Sequence, residues 1–242
     1  MIAYLQKTFH GSQSDFHQRA THALENGEKL FVVTANPETM MIAHRDEEFD
    51  RILLDGATTI VPDGIGVIKG MESLGISTQG RVTGVTLAQY LLQEASRLKL
   101  SVYLYGAKEE VNQALCQVIA RDCPGAVIVG NKNGYDHDPQ QVFADIVAHQ
   151  PHVVLVALGI PRQEKLIYQH LSQLEKGVFV GVGGSFDVLS GMKKRAPKLF
   201  VKLNLEWFYR ILCEPKRLKR FWQSNVKFFS VLKKERKNAA KK

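Results

Sequence analysis

The chain has 242 residues, of which 45% are hydrophobic and 23% charged, a globular composition that excludes a mainly disordered protein. Its longest clear apolar run, 153–160, is strand-sized and well short of the roughly 18 residues that a membrane span needs. Three scattered cysteines, Cys116, Cys123 and Cys213, do not make a disulfide frame or a thiolate metal site. The opening MIAYLQKTFHGSQSD has no basic segment followed by an apolar one, so no secretory signal is expected and the chain reads as reduced and cytosolic.

The net charge of +8 is unevenly distributed. Residues 1–192 hold 15 Lys and Arg against 21 Asp and Glu, a balance of −6, whereas residues 193–242 hold 17 against 3, a balance of +14. A mildly acidic body thus carries a strongly basic last fifth. Such a block suits phosphates, whether of nucleic acid, anionic lipid or a diphosphate substrate, and equally suits a solvated tail kept for solubility.

Along the chain, strands and helices alternate. A β-branched run at 30–34 ends at Ala35-Asn36-Pro37, and 38–44 then reads as a helix with proline near its first turn. A second strand at 58–61 is halted by Pro62-Asp63-Gly64. Helix 86–99 follows, with Leu87, Tyr90, Leu91, Ala95 and Leu98 at helical spacing. Three more strand–helix units are expected at 102–105 and 109–121, 126–129 and 139–149, and 153–158 and 162–174, with a last strand at 178–182. Continuously apolar strands separated by helices predict an α/β fold, a Rossmann-like doubly wound and mainly parallel sheet covered on both faces. The expected division is a nucleotide-sugar-binding body over 1–192 and a basic helical appendage over 193–242.

In such sheets ligands sit at the carboxyl ends of the strands. The loops there contain Thr34-Ala35-Asn36-Pro37, Pro62-Asp63-Gly64-Ile65-Gly66, Tyr105-Gly106-Ala107, Gly159-Ile160-Pro161-Arg162-Gln163-Glu164 and Gly181-Val182-Gly183-Gly184-Ser185-Phe186-Asp187. Glycine lets backbone N–H groups approach a ligand, and helix N-termini favour phosphate, so a nucleotide or nucleotide-sugar is the natural guest; each glycine taken singly also fits a tight turn. A dinucleotide fingerprint is weak, because Phe186 stands where the third glycine after Gly181 and Gly183 belongs, and Lys69 where it belongs after Gly64 and Gly66. A P-loop is absent. Asp136-His137-Asp138 has the D-x-D form of metal-dependent glycosyltransferases, yet Asp138 directly before Pro139 reads better as a helix cap. The eight histidines show no metal-ligand spacing.

Thr34-Ala35-Asn36-Pro37-Glu38, Pro62-Asp63-Gly64-Ile65-Gly66, Arg81-Val82-Thr83-Gly84, Gly159 to Glu164, Gly181 to Asp187, Arg195-Ala196-Pro197 and Glu206-Trp207-Phe208-Tyr209-Arg210 occur in this order. The series resembles the WecG/TagA/CpsF family of bacterial glycosyltransferases over about residues 30–220, and its wording is most similar to the TagA branch. The resemblance implies transfer of N-acetylmannosamine from UDP onto undecaprenyl-diphosphate-linked N-acetylglucosamine, with inversion to a β-linkage, in synthesis of the wall teichoic acid linkage unit. It also implies no metal and no other cofactor.

Inverting transfer needs a base for the acceptor hydroxyl and charge stabilisation for departing UDP. Asp63 matches the family's base, although Asp before Gly also simply closes turns. Thr34 and Asn36 are expected near sugar hydroxyls or the N-acetyl group, with an Asn-Pro helix cap as the alternative for Asn36. Arg81 and Gln163 match family positions near substrate, Arg81 as a charge-assisted fork for a diphosphate. Gly106, Gly159, Gly183 and Gly184 are expected to frame UDP, and Asp187 to read the uracil edge.

In the appendage, a helix over 200–213 is followed by Pro215 and a second helix to about residue 235. Leu218, Phe221, Trp222, Val226, Phe229 and Leu232 form one apolar stripe at helical spacing, with Lys216, Arg217, Lys219, Arg220, Lys227, Lys233 and Lys234 opposite. That pattern suits a membrane interface, each Lys or Arg near anionic lipid contributing roughly 1 kcal/mol; packing on the body or on a second copy in a homo-oligomer would use the same stripe. Arg210, Arg217 and Arg220 match basic positions of the family's tail, where they could clamp the leaving diphosphate. The expected partners are a UDP-sugar donor, a polyprenyl-diphosphate-linked acceptor and the anionic inner face of the cell membrane, with the enzyme peripheral there and no nucleic acid bound. Rival readings are a relative using another UDP-sugar, such as a uronic acid, for capsule or exopolysaccharide, a nucleic-acid-binding module, and a nicotinamide oxidoreductase.

Overall fold

The structure is a computed structural model that describes residues 1–197, 200, 205–215 and 217–239, with the side chains of Arg210, Arg217 and Arg220 outside the described set. Six strands, β1 (Lys29–Ala35), β2 (Thr58–Pro62), β3 (Ser101–Gly106), β4 (Val127–Lys132), β5 (Val153–Ala157) and β6 (Gly177–Gly181), form one sheet in the order β2-β1-β6-β5-β3-β4. Every pairing is parallel. The fold is the expected doubly wound α/β class.

The apolar runs sort themselves by strand position. β5 and β6, at the centre, are buried at every residue, whereas β4, at one edge, is only half-buried. Successive side chains alternate between two cores. Phe31, Val33, Val154, Val156 and Phe179 enter one, with Met40, Phe49 and Phe143 from the covering helices. Leu30, Val32, Val102, Leu155 and Val178 enter the other, with Phe16, Leu91 and Leu115. Each fully buried side chain of this size contributes about 1.5–3 kcal/mol, so both helical layers are firmly held.

The layers comprise α1 (Ile2–Lys7), α2 (Gln13–Glu25), α3 (Pro37–Ala43), α4 (Glu47–Leu54), α5 (Ile65–Ser73), α6 (Gly84–Leu98), α7 (Glu109–Asp122), α8 (Pro139–His149), α9 (Arg162–His170) and α10 (Ser185–Leu189), with a 3₁₀ turn at Leu171–Gln173. α1, α2, α4, α5 and α10 were not among the predicted elements. For α2 the signal was present: Ser12 and Asp15 form a reciprocal capping box. Asn36 likewise caps α3, accepting from Thr39 N–H at 3.0 Å, with Pro37 in the first turn.

β1 and β6 are neighbours whose chains depart to different layers. The chain leaving β1 enters α3, whose Met40 and Met41 belong to the first core, and the chain leaving β6 enters α10, whose Phe186 belongs to the second. This divergence opens a crevice at the carboxyl ends of the two strands.

Two further helices, α11 (Glu206–Cys213) and α12 (Arg217–Ala239), belong to the basic appendage. The predicted helix over 200–213 falls partly on residues outside the described set. α12 docks on α3, α5 and α1. Its anchors are Phe228, fully buried, and Leu232. A Cβ on Gly70 of α5 would lie 2.9 Å from the Phe228 ring, so glycine permits this seat.

The single apolar stripe expected on α12 is in fact two faces. Leu232 packs into the body and Phe221 is half-buried, whereas Leu218, Trp222, Val226 and Phe229 stay exposed, Trp222 at 66%. Phe228, which lies off the predicted stripe, makes the deepest contact. The apolar arc is wide enough to serve the body and still leave a strip for something else.

Candidate active site

The crevice is a cavity of about 220 Å³. β1 contributes Asn36 and Pro37 at its end, β2 contributes Asp63 to Gly66, and β6 contributes Val182, Gly184 and Ser185. Arg81, Thr83, Gly84 and Val85 form another wall, and Glu206, Trp207, Ile211, Phe221, Ser224 and Asn225 of the appendage close it. Residues of α11 and α12 thus form part of the cavity wall.

Backbone bonds fix Asp63 and Arg81 side by side. Asp63 N–H donates to Ala35 O at 2.9 Å, joining the ends of β2 and β1, and Val82 N–H donates to Pro62 O at 2.9 Å, drawing the Arg81 loop onto the end of β2. Asp63 is half-buried on the cavity wall, neither sealed in the core nor adrift on the surface. Asn36 caps α3, the alternative expected for it, and the same residue lines the cavity. Thr34 lies just beneath, its hydroxyl 3.4 Å from Gly181 O and 3.5 Å from where a Cβ on Gly84 would stand.

Arg81 and Glu206 are 3.4 Å apart, both nearly buried. Glu206 also faces Arg195 at 3.7 Å. The Trp207 and Phe221 rings stack at 4.4 Å between centroids, joining α11 to α12. Glu206 and Trp207 belong to one of the ordered motifs, but neither was given a role in the site from sequence. An acid in the first turn of a helix signals only favourable alignment with the helix dipole, and nothing in its spacing says that the helix folds over a cleft.

A second group of expected site residues lies at the ends of β3, β5 and β6. Gln163 is buried, and its side-chain oxygen accepts from Gly159 N–H at 3.0 Å and Gly183 N–H at 3.2 Å, tying the loops after β5 and β6 together. Its amide NH₂ donates to Glu164 Oε1 at 2.7 Å. Glu164 is buried, its Oε2 has no hydrogen-bond partner, and burial pushes its carboxyl pKa up to about 7. A Cβ on Gly181 would fall 2.6 Å from Gln163 Nε2 and 2.7 Å from Glu164 Oε1, so a larger residue there would have to displace these side chains.

The structure thus brings Asn36, Asp63, Arg81 and Gly184 to the cavity, with Thr34 in the layer below. Gln163, Gly159 and Gly183 join it through the Gly183–Gly184 loop. Gly106 sits farther along, at the β3 end, its carbonyl accepting from Asn112 Nδ2 at 3.1 Å. Asp187 is not on the cavity wall and faces Lys193 at 3.6 Å. The side chains of Arg210, Arg217 and Arg220 lie outside the described residues.

Asp138 caps α8, accepting from Gln140 N–H at 3.2 Å, and Asp136 accepts from Asn133 Nδ2 at 2.9 Å. The D-x-D stretch therefore does structural work, as its proline neighbour suggests. No group of three or more His, Cys, Asp or Glu side chains placed to hold a metal occurs among the described residues.

The profile of the glycosyl transferase WecG/TagA/CpsF family matches residues 3–242. The chain belongs to that family. Among its relatives, a protein of Bacillus spizizenii named N-acetylglucosaminyldiphosphoundecaprenol N-acetyl-beta-D-mannosaminyltransferase is 39% identical over 223 residues, 92% of this chain and 86% of the relative. Proteins of the same name from Bacillus subtilis and Staphylococcus aureus (strain MRSA252) are 37% and 34% identical, each over 89% of this chain and 84% of the relative. As a WecG/TagA/CpsF glycosyltransferase, the chain carries its motifs at 34–38, 62–66, 159–164 and 181–187 at the carboxyl ends of β1, β2, β5 and β6, and the Glu206 motif on α11. No helix among its described residues is long and apolar enough to cross a membrane.

Proposed function

We propose that this glycosyltransferase moves N-acetylmannosamine from UDP to the N-acetylglucosamine of an undecaprenyl-diphosphate-linked acceptor, with inversion, to give the β-linked disaccharide lipid of the wall teichoic acid linkage unit. The observation that carries the reading is Asp63, a carboxylate on the wall of a cavity that also holds Arg81 and Asn36 and is roofed by the basic appendage. The names of the relatives supply the sugar and the acceptor.

In this scheme Asp63 takes the proton of the acceptor hydroxyl as its oxygen attacks the anomeric carbon, on the face opposite UDP. The bond from that carbon to the diphosphate oxygen breaks, and UDP departs with the electron pair. A positioned base of this kind is worth about 10²–10⁴-fold in rate. Thr34 and Asn36 orient the sugars, and the loops with Gly159, Gly183 and Gly184 hold UDP. Arg81, with Arg210, Arg217 and Arg220 of the appendage, offsets charge on the leaving group and removes the need for a metal. The exposed strip of Leu218, Trp222, Val226 and Phe229, next to lysines on α12, holds the enzyme at the inner face of the membrane, where its lipid acceptor lies.

Incubation with radiolabelled UDP-N-acetylmannosamine and a short prenyl-diphosphate-N-acetylglucosamine tests the reading. Label should move to the lipid with or without chelator, and UDP-linked uronic acids should not replace the donor. Absence of product from UDP-N-acetylmannosamine, with transfer from another UDP-sugar, would reassign the donor; absence from all of them would end the proposal.

A further inference from the structure

Glu206, the first residue of α11, meets two guanidinium groups from the body. One carboxylate oxygen is 3.4 Å from Arg81 Nη2 and the other 3.7 Å from Arg195 Nε. The Glu206 side chain is 12% exposed and that of Arg81 14%. Arg195 Nε is buried and has no hydrogen-bond partner.

This is a poor cross-link. Strong guanidinium–carboxylate pairs are two-pronged, with N···O distances of about 2.8 Å, and charges removed from water lose more than they regain when contacts are long. A buried guanidinium N–H left unpaired adds to that cost. The arrangement is better matched to an anion larger than a carboxylate. Arg81 and Glu206 both line the cavity, and Arg195 meets the same carboxylate, so an anion that took the place of that carboxylate would face both guanidinium groups. A diphosphate offers two or more charges and several acceptor oxygens, enough to satisfy both forks at once.

We propose that Arg81 and Arg195 together form a diphosphate-binding site, and that Glu206 occupies it as an internal placeholder which the ligand displaces. The inference deepens the glycosyltransferase reading above and rests on it for the class of ligand. Because Glu206 belongs to α11, occupancy of the site and the hold of the roof on the body are coupled: an arriving diphosphate takes over both arginines and frees the first turn of α11.

The diphosphate could be that of the nucleotide or that of the prenyl acceptor. Calorimetric titration of the full chain with UDP and, separately, with farnesyl diphosphate distinguishes them. Glu206→Gln removes the competing charge and should tighten binding of the ligand that uses the site at least threefold, whereas Arg195→Gln should weaken the same ligand at least tenfold. A response confined to UDP assigns the site to the donor, and one confined to farnesyl diphosphate assigns it to the acceptor. Glu206→Asp, which keeps the charge but withdraws it, guards against a folding defect in the first variant and should also tighten binding. Unchanged or weaker affinity in both Glu206 variants, or wild-type affinity in Arg195→Gln, would overturn the proposal. Sugar transfer by the unsubstituted chain with diphosphate affinities indifferent to these changes would sink this inference alone; the expected affinity changes without any sugar transfer would sink the glycosyltransferase reading alone.

Discussion

The indole of Trp207 lies flat on the ring of Phe221, 4.4 Å between centroids and 2° from parallel. Both residues line the cavity, so one aromatic contact joins the two appendage helices on the wall of the cavity that Asp63 also lines. Such pairs contribute about 0.5–1.5 kcal/mol beyond their burial. Trp207→Ala and Phe221→Ala should each lower kcat/KM, and the double variant should fall short of the summed losses by about that amount. Strictly additive losses in the cycle would mean that the rings act separately.

Asp63→Asn should reduce turnover about 10²–10⁴-fold, while the fold and UDP affinity survive, the backbone bond from residue 63 to Ala35 O being kept. Near-normal turnover in this variant would remove Asp63 from the chemistry.

Glu164 gives the fold a pH dependence of known sign. Its carboxyl titrates at about 7 in the folded chain because burial disfavours the charge, against about 4.3 when unfolded. The folded state therefore holds the proton more tightly, and its contribution to stability is full below about pH 4.3, declines as pH rises, and is exhausted above about pH 7. Each tenfold difference in acid strength between the two states is worth about 1.4 kcal/mol. Urea denaturation should show the wild type losing stability between pH 5 and pH 8 relative to Glu164→Gln, which cannot ionise. Parallel curves for the two proteins would place the titration elsewhere.

Gly181→Ala should destabilise the chain by about 1–3 kcal/mol through overpacking, since the new methyl falls against Gln163 and Glu164. It should also raise KM for the UDP-sugar, because Gln163 holds the Gly159 and Gly183 loops. Thermal melts and initial rates read the two effects separately.

Trp222→Ser combined with Leu218→Ser should abolish co-sedimentation with anionic vesicles and leave the melting temperature unchanged, as both side chains are exposed. A drop in melting temperature would mean that the strip serves internal packing after all.

The alternation of apolar runs made the α/β class legible, because central parallel strands such as β5 are buried on both faces and need no polar partner. Asp63 and Asn36 were legible as candidates because turn and capping residues at strand ends mark the ligand-binding edge of such a sheet, whereas the base role of Asp63 and the candidacy of Arg81 came from the family resemblance. What sequence could not supply was the path of the appendage. Helical spacing defined an apolar arc on α12, yet not that Phe228 and Leu232 would take the body while Trp222 stayed outside, since that division depends on the surface presented by α3 and α5. Glu164 was quoted as the end of a loop motif but given no role, for a related reason: an acid in the first turn of a helix normally faces water, and the close approach of β6 at Gly181 helps to enclose this one.

Every strand-end loop on the cavity wall follows β1, β2 or β6, and no residue from β3 through β4 lines it. The segment beyond β4, with Tyr135 at 73% exposure, is accordingly a place to attach a fluorophore or a solid support, leaving every wall residue chemically intact.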